Sequence, residues 1–281
     1  MRLLAATGLG AAASVLAWIA ARDIFTAPVF ARQNHRGATV PVGAGVLLVV
    51  AVLAADAVLV VADRLTDRVQ VDLAATVVVI ATVAGFCTLG LLDDLGAAGD
   101  DRGFTGHLRA MAHGRLSTGG LKLLGGGLLA VVVSGMARQG GVGALFVDAL
   151  VIALGANVGN LFDRAPGRTI KVGALAMLAV LVLASTADRG QLTGVAILFG
   201  AALGLLVFDL GEELMLGDAG SNAIGATAAL GVVLSCALPV RIVVLLALLA
   251  LNLASERVSF STVIDAVAPL RFLDRLGRNQ R

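Results

Sequence analysis

The sequence predicts an all-α protein: a polytopic transmembrane helix bundle forming a single integral membrane domain over residues 1–281. Three observations carry that prediction. Hydrophobic residues make up 58% of the 281 positions and charged residues only 14%, with a mean hydropathy of +0.96, far from the balance of a water-soluble domain. The apolar stretches recur in runs near the ~20 residues that a helix needs to cross hydrocarbon. They are unbroken rather than alternating, which excludes a β-barrel, the other structure that satisfies its backbone in lipid.

Taken in order, the expected spans are 3–21, 41–62, 73–92, 121–137, 143–161, 172–187, 191–208, 221–238 and 240–254, each bounded by charge or by Gly/Pro. About nine crossings leave only short loops and no large soluble domain. The first run follows Met1-Arg2 and meets Arg22-Asp23 without a small-x-small cleavage site, so it reads as an anchor rather than a signal peptide. The 35 glycines suit close helix approach in a bilayer, where packing drives association. Cys87 and Cys236 lie in separate apolar runs and read as two small buried side chains rather than a disulfide or a zinc site.

Orientation follows from the basic residues of the loops. One face would carry Arg22, Arg32, Arg36, Arg102, Arg109, Arg115, Lys122, Arg164, Arg168, Lys171, Arg257, Arg271, Arg275, Arg278 and Arg281. The other would carry only Arg2, Arg64, Arg68, Arg138, Arg189 and Arg241. The first face is therefore expected to be cytoplasmic, in an inner (plasma) membrane. Asp93, Asp94, Asp163 and Asp218 fall on that same face, each at or just beyond the end of a span, so the chemistry is expected there.

Asp93-Asp94 closes the third span in GFCTLGLLDDLG. Adjacent helical positions diverge by ~100°, so the two carboxylates cannot share one atom without unwinding. One can face a metal while its neighbour faces a nucleophile. Like charges this close call for a divalent cation or an opposing base, although a solvated acidic helix end is the plainer reading. LGDAGSNAIG, 216–225, sets Asp218 between Gly217 and Gly220, ahead of Ser221. Such a turn lets backbone N–H groups approach phosphate oxygens, and Ser221 could equally be a helix cap.

Asn157, Asn160 and Asp163 form N-x-x-N-x-x-D at the end of the fifth span, spaced to lie along one ridge. Polar groups at that depth imply a site or an interhelical hydrogen-bond network. The loop after them holds Arg164, Pro166, Gly167, Arg168 and Lys171, cations that could simply follow the orientation rule or meet phosphates. Residues 95–120 place Phe104, Leu108, Met111 and Leu116 at helical spacing among charges, an expected amphipathic interfacial helix. His107 and His113 there are six apart, the wrong spacing for one metal on one helix face. Lys122, opening the fourth span, could snorkel or bind a lipid phosphate. NHRGATVPVGAG, 34–45, supplies Arg36, His35, Pro41, Gly43 and Gly45 just before the second span.

With these stretches in order, the chain resembles the polyprenyl-phosphate N-acetylhexosamine-phosphate transferases, of glycosyltransferase family 4 type. This family includes the peptidoglycan translocase and the undecaprenyl-phosphate N-acetylglucosamine phosphate transferase, and the resemblance runs roughly over residues 20–235. It implies that Asp93 and Asp94 match the paired aspartates that bind metal and activate the lipid phosphate. Asp218 would match the metal-binding aspartate, Asn160 and Asp163 the element lining the nucleotide site, and Lys122 a lysine near phosphate. Pro41, Gly43 and Gly45 look like the family's proline and double-glycine stretch. Arg164 stands where a glycine is usual, Met215 replaces an aromatic, and no histidine-rich loop occurs near the C-terminus, where ASERVSFSTVIDAVAPLRFLDRLGR, 254–278, stands instead.

The function the resemblance implies is Mg2+-dependent transfer of a sugar phosphate from a UDP-sugar to a polyprenyl phosphate at the cytoplasmic face, in cell-envelope glycan synthesis. Catalytic roles would fall to Asp93, Asp94 and Asp163, with Mg2+ (or Mn2+) on Asp218 and Asp93. Substrate contacts would come from Asn157, Asn160, Lys122, Arg168, Lys171, Gly217 and Ser221. The partners would be the polyprenyl phosphate, the UDP-sugar and the membrane, with no nucleic acid; a homodimer is left open. The alternative is a non-catalytic relative that binds lipid or nucleotide-sugar as a scaffold or transport component of envelope assembly.

Overall fold

In a computed structural model, which describes residues 2–66, 70–96, 118–137, 140–185 and 188–278, the chain is 81% helical and all-α apart from one short hairpin. Among the described residues nine long helices follow one another: α1 (Arg2–Ala21), α2 (Val46–Leu65), α3 (Leu73–Gly96), α4 (Thr118–Ala137), α5 (Val142–Phe162), α6 (Arg168–Leu183), α7 (Thr193–Leu210), α8 (Gly217–Ser235) and α9 (Leu238–Ser255). Two short helices, α10 (Phe260–Ala266) and α11 (Ala268–Arg275), complete the chain. Among the described residues seven segments are long and apolar enough to cross a membrane, α6 and α8 being the long helices outside that set, which marks a multi-pass membrane protein. α6 is short, at 16 residues, and α8 is rich in small and polar residues.

α8 is the hub. Nearly every residue from Gly217 to Ser235 is buried, and α3, α5, α6 and α7 all pack against it. α1 lies along α7 at backbone distance: a methyl added at Gly10 would overlap the Ile197 carbonyl, and one at Gly200 the Thr7 carbonyl. Small residues let helices meet this closely where lipid gives no hydrophobic drive to associate. The outer surfaces stay apolar and exposed, as with Leu246 at 60% and Val182 at 81%, a pattern that lipid rather than water accommodates. Cys87 and Cys236 are buried thiols that form no disulfide with each other.

Odd-numbered helices end, and even-numbered ones begin, at one end of the bundle, where all the acidic motifs gather. Several helix ends differ here from the expected ones, α8 among them, which starts at Gly217 rather than 221. The second helix starts at Val46 rather than 41, because 39–45 is used in pairing. β1 (Ala31–Gln33) and β2 (Thr39–Pro41) form an antiparallel hairpin with Arg32 opposite Val40. Met215 N then donates to Pro41 O at 2.8 Å, and Gly45 N to Leu216 O at 3.1 Å. The expected turn at 34–45 is thus a structured clasp on the start of α8. α6 runs over 168–183 rather than 172–187, and α3 continues helically through Gly96. The interfacial helix expected over 95–120, with His107 and His113, lies outside the described residues apart from its ends.

At the opposite end Arg241, opening α9, pairs with Asp148 near the start of α5, both buried. This pair helps tie α9, whose other residues are partly buried or exposed, to the bundle.

Candidate functional site

The two adjacent aspartates of α3 part company, as their ~100° divergence requires. Asp94 turns to the start of α8: its Oδ1 accepts the Asp218 N–H at 2.9 Å and its Oδ2 the Ala219 N–H at 3.1 Å. It therefore caps that helix from another helix, satisfying donors that have no intrahelical partner and meeting the positive end of the dipole. Two sequence features make room for it. Gly217 has φ +65 and a methyl there would collide with the Asp94 carboxylate, while a methyl at Gly90 would overlap the Asp218 carbonyl. Ser221, expected as a substrate contact or equally as a helix cap, does not cap the helix and does not line the cavity beside it: it is buried and its hydroxyl has no hydrogen-bond partner among the described residues.

Asp93 points instead toward Lys122, with Oδ2 3.6 Å from Nζ. The same ammonium bonds Asp218, so one cation from α4 bridges carboxylates from α3 and α8. Asn160 of α5 completes the group. With its amide oriented to satisfy both neighbours, it donates to Asp218 Oδ1 at 2.7 Å and accepts from Lys122 Nζ at 2.9 Å. Side chains from four helices thus meet at one point, although Asp93 and Asp218 lie far apart in sequence.

Beside this cluster opens a cavity of about 420 Å³, with Asp94, Asp163, Asp209, Glu212 and Asp218 in its lining together with Arg32, Arg164 and His35. Asp163, just past α5, accepts a hydrogen bond from the Thr169 hydroxyl at 3.2 Å. Burial first, and then the charges of Asp209, Asp218 and Asp94, push its carboxyl well above the usual range. Burial lowers the His35 imidazole below its ordinary value, against the pull of Glu212 and with Arg36 adding to the lowering. Arg32 donates to the Asp94 backbone carbonyl at 3.0 Å, and Glu212 holds Asn34 at 2.6 Å and Arg36 at 3.2 Å. The hairpin is therefore fastened to both sides of the cavity mouth.

Other residues expected to touch substrate are placed elsewhere. Asn157 turns away from Asn160 and donates to Asn252 Oδ1 of α9 at 2.5 Å, the interhelical network that its spacing also allowed. Arg168 is buried in a bidentate pair with Asp274, at 2.8 and 3.0 Å. Lys171 donates to the carbonyls of Leu273, Asp274 and Leu276. Both cations are engaged by the C-terminal segment and neither lines the cavity.

Asp209 and Glu212 went unread in the sequence, although the signal used for Asp93 and Asp94 was present in FDLGEE at the end of a span on the same face. Asp209 accepts the Gly167 N–H at 2.9 Å and so holds the loop that carries Arg164.

A second, apolar groove of about 180 Å³ runs between α5, α6, α8 and α9, from Phe162 and Thr169 at the site end down to Leu183 and Val232. Among the described residues, no group of three His, Cys, Asp or Glu side chains could hold a metal ion unaided.

No protein-family model matches the sequence, and no curated protein matches it.

Proposed function

We propose that this protein transfers a sugar phosphate from a UDP-sugar to a polyprenyl phosphate at the cytoplasmic face of the cell membrane, crossing it nine times and serving envelope glycan synthesis. The observation that carries the reading is the meeting of Asp93, Lys122, Asn160 and Asp218 from four helices beside a cavity at one bundle end. α6 and α8 complete the nine crossings, α8 with its small and polar residues sheathed by neighbours and α6 as a short span whose Leu175, Leu178 and Val182 face outward.

The donor chemistry suits Mg2+. This ion is commonly held by one or two carboxylates together with substrate phosphates rather than by a full protein cage. Asp93 and Asp218 would hold it, Lys122 yielding its place between them, and Asp94 is excluded because both its oxygens serve the α8 backbone. When bound, Mg2+ supplies neutralisation of pyrophosphate charge. Asn160 orients Asp218, and the freed Lys122 ammonium adds a point charge for phosphate oxygens. The lipid phosphate oxygen attacks the sugar-linked phosphorus, the bond to the UMP phosphate oxygen breaks, and a sugar on a lipid pyrophosphate results. Such transfers depend on positioning and charge more than on covalent help from the protein. The apolar groove ending at Phe162 and Thr169 gives a prenyl chain a seat within the bundle.

One observation favours a non-catalytic lipid or nucleotide-sugar binder instead. Arg168 and Lys171, two of the basic residues that follow N-x-x-N-x-x-D, are consumed by the C-terminal segment. The test is purified protein with Mg2+, undecaprenyl phosphate and radiolabelled UDP-sugars. Label should pass into a lipid-extractable product, and Asp218→Asn should stop it. Nucleotide-sugar binding without any lipid-linked label would decide for the binder.

A further inference from the structure

The C-terminal residues after α9 form a strap rather than a tail. Phe260 stacks on Phe162 at the end of α5, with ring centroids 5.3 Å apart. Arg168 at the start of α6 binds Asp274 and also the Ser261 hydroxyl at 2.7 Å. Arg278 donates to the Pro166 carbonyl at 3.0 Å and to Asp274 at 2.5 Å. The strap therefore joins elements on both sides of the apolar groove, at the level where the spanning helices begin and end.

α11 is polar on the side used for these bonds and apolar elsewhere. At ~100° per residue, Leu270, Phe272, Leu273 and Leu276 fall within an arc of about 160°, while Asp274, Arg271 and Arg275 occupy the remainder. Among the described residues that apolar arc stays largely open: Phe272 is 67% exposed, Leu276 55%, Leu273 52% and Leu270 43%. The preceding helix, α9, is itself lipid-facing along most of its length. We propose that α10–α11 lies in the interfacial layer of the bilayer, its Leu270, Phe272, Leu273 and Leu276 face resting against acyl chains.

Two features select lipid as the occupant. The apolar face continues the exposed surface of a membrane-crossing helix, and the Lys171 bonds fix α11 at the first turn of α6, the depth of the membrane boundary. Attachment is driven by apolar contact rather than lipid charge, since Arg271 and Arg275 lie away from the apolar arc and Arg275 already meets Asp265 at 3.5 Å. Interfacial helices of this kind keep basic residues on the outer face and apolar ones in the headgroup–acyl boundary. The docked strap would hold the loop at Pro166, part of the cavity wall. None of this depends on the transfer reaction.

The experiment places an environment-sensitive fluorophore at Phe272→Cys, Leu276→Cys or Arg271→Cys of the full chain, in single-copy phosphatidylcholine nanodiscs; the native Cys87 and Cys236 are buried. Labels at 272 and 276 should show blue-shifted emission and stronger quenching by lipid-borne nitroxide than by iodide, with the order reversed at 271. Quenching by iodide at all three positions would overturn the proposal. So would protection that requires anionic lipid, a second copy or an added protein.

Discussion

Asp94 and Asp218 lie 124 positions apart, and the carboxylate of the first accepts the backbone N–H of the second. Because Asp94 also takes the next N–H, the end of α3 and the first turn of α8 are one unit. Asp93 and the Asp218 side chain then face Lys122 from fixed positions. Removing this cap should cost stability as well as function. Hydrogen bonds to a charged group contribute about 1.5–3 kcal/mol each. Asp94→Ala should lower the thermal midpoint of the detergent-solubilised protein more than Asp94→Asn, which keeps one acceptor. Equal losses would mean that the backbone bonds carry no weight.

Gly90 should tolerate no side chain. A methyl there overlaps the Asp218 carbonyl, so Gly90→Ala must push α8 away from α3, and overpacking of this kind costs about 1–3 kcal/mol. Gly8, around which a methyl meets nothing within 4 Å, is the control. Gly8→Ala should leave the melting curve unchanged or raise it.

Lys122→Met should make the protein more dependent on divalent cations. Without the ammonium, the Asp93 and Asp218 carboxyl groups lose the cation between them, and carboxylates in close quarters favour a bound cation. Mg2+ should raise the melting temperature of the variant more than that of the parent. An identical response to Mg2+ in both would show that the two carboxylates do not share a cation.

Asp148 and Arg241 offer a test at the other end of the bundle. Breaking a buried ion pair by removing one partner typically costs about 3–5 kcal/mol, whereas replacing both with apolar residues is often neutral. Asp148→Leu alone should be severely destabilised, and Asp148→Leu combined with Arg241→Leu should recover most of the loss.

The strap should loosen in acid. Burial opposes the Asp274 charge, but hydrogen bonds and charge from Arg168 and Arg278 hold its carboxyl below the usual value. The folded state therefore binds fewer protons there than the unfolded state. Its contribution is complete above the unfolded value of about 4 and is lost as pH falls through the lower folded one. Hydrogen exchange across 259–278 should rise in that window and not at neutral pH, and Asp274→Asn should remove the transition.

Much of the fold was legible because lipid demands long apolar helices: each expected span overlaps a long helix, with ends shifted by a few residues. The shifts have causes that lie far off in sequence. α2 starts late because 41–45 pairs with 215–216, and α8 starts early because Asp94 caps it from α3. The convergence of Asp93, Asp94, Lys122, Asn160 and Asp218 was readable from their common position at span ends. Which neighbour each would choose was not, since Asn157 could pair with Asn252 and Arg168 with Asp274 only once α9 and the strap were in place. Asp209 carries the same span-end signal, but its partner, the Gly167 N–H, lies 42 positions away.

The central claim is that the Asp93, Lys122 and Asp218 meeting point handles phosphate transfer. Its most direct test is release of UMP from UDP-sugars by the purified protein, with undecaprenyl phosphate and Mg2+ each withheld in turn. UMP should appear only when both are present, and should vanish in folded Asp93→Asn and Asp218→Asn. A folded parent protein that releases no UMP from any common UDP-sugar, or variants that release it undiminished, would contradict the account.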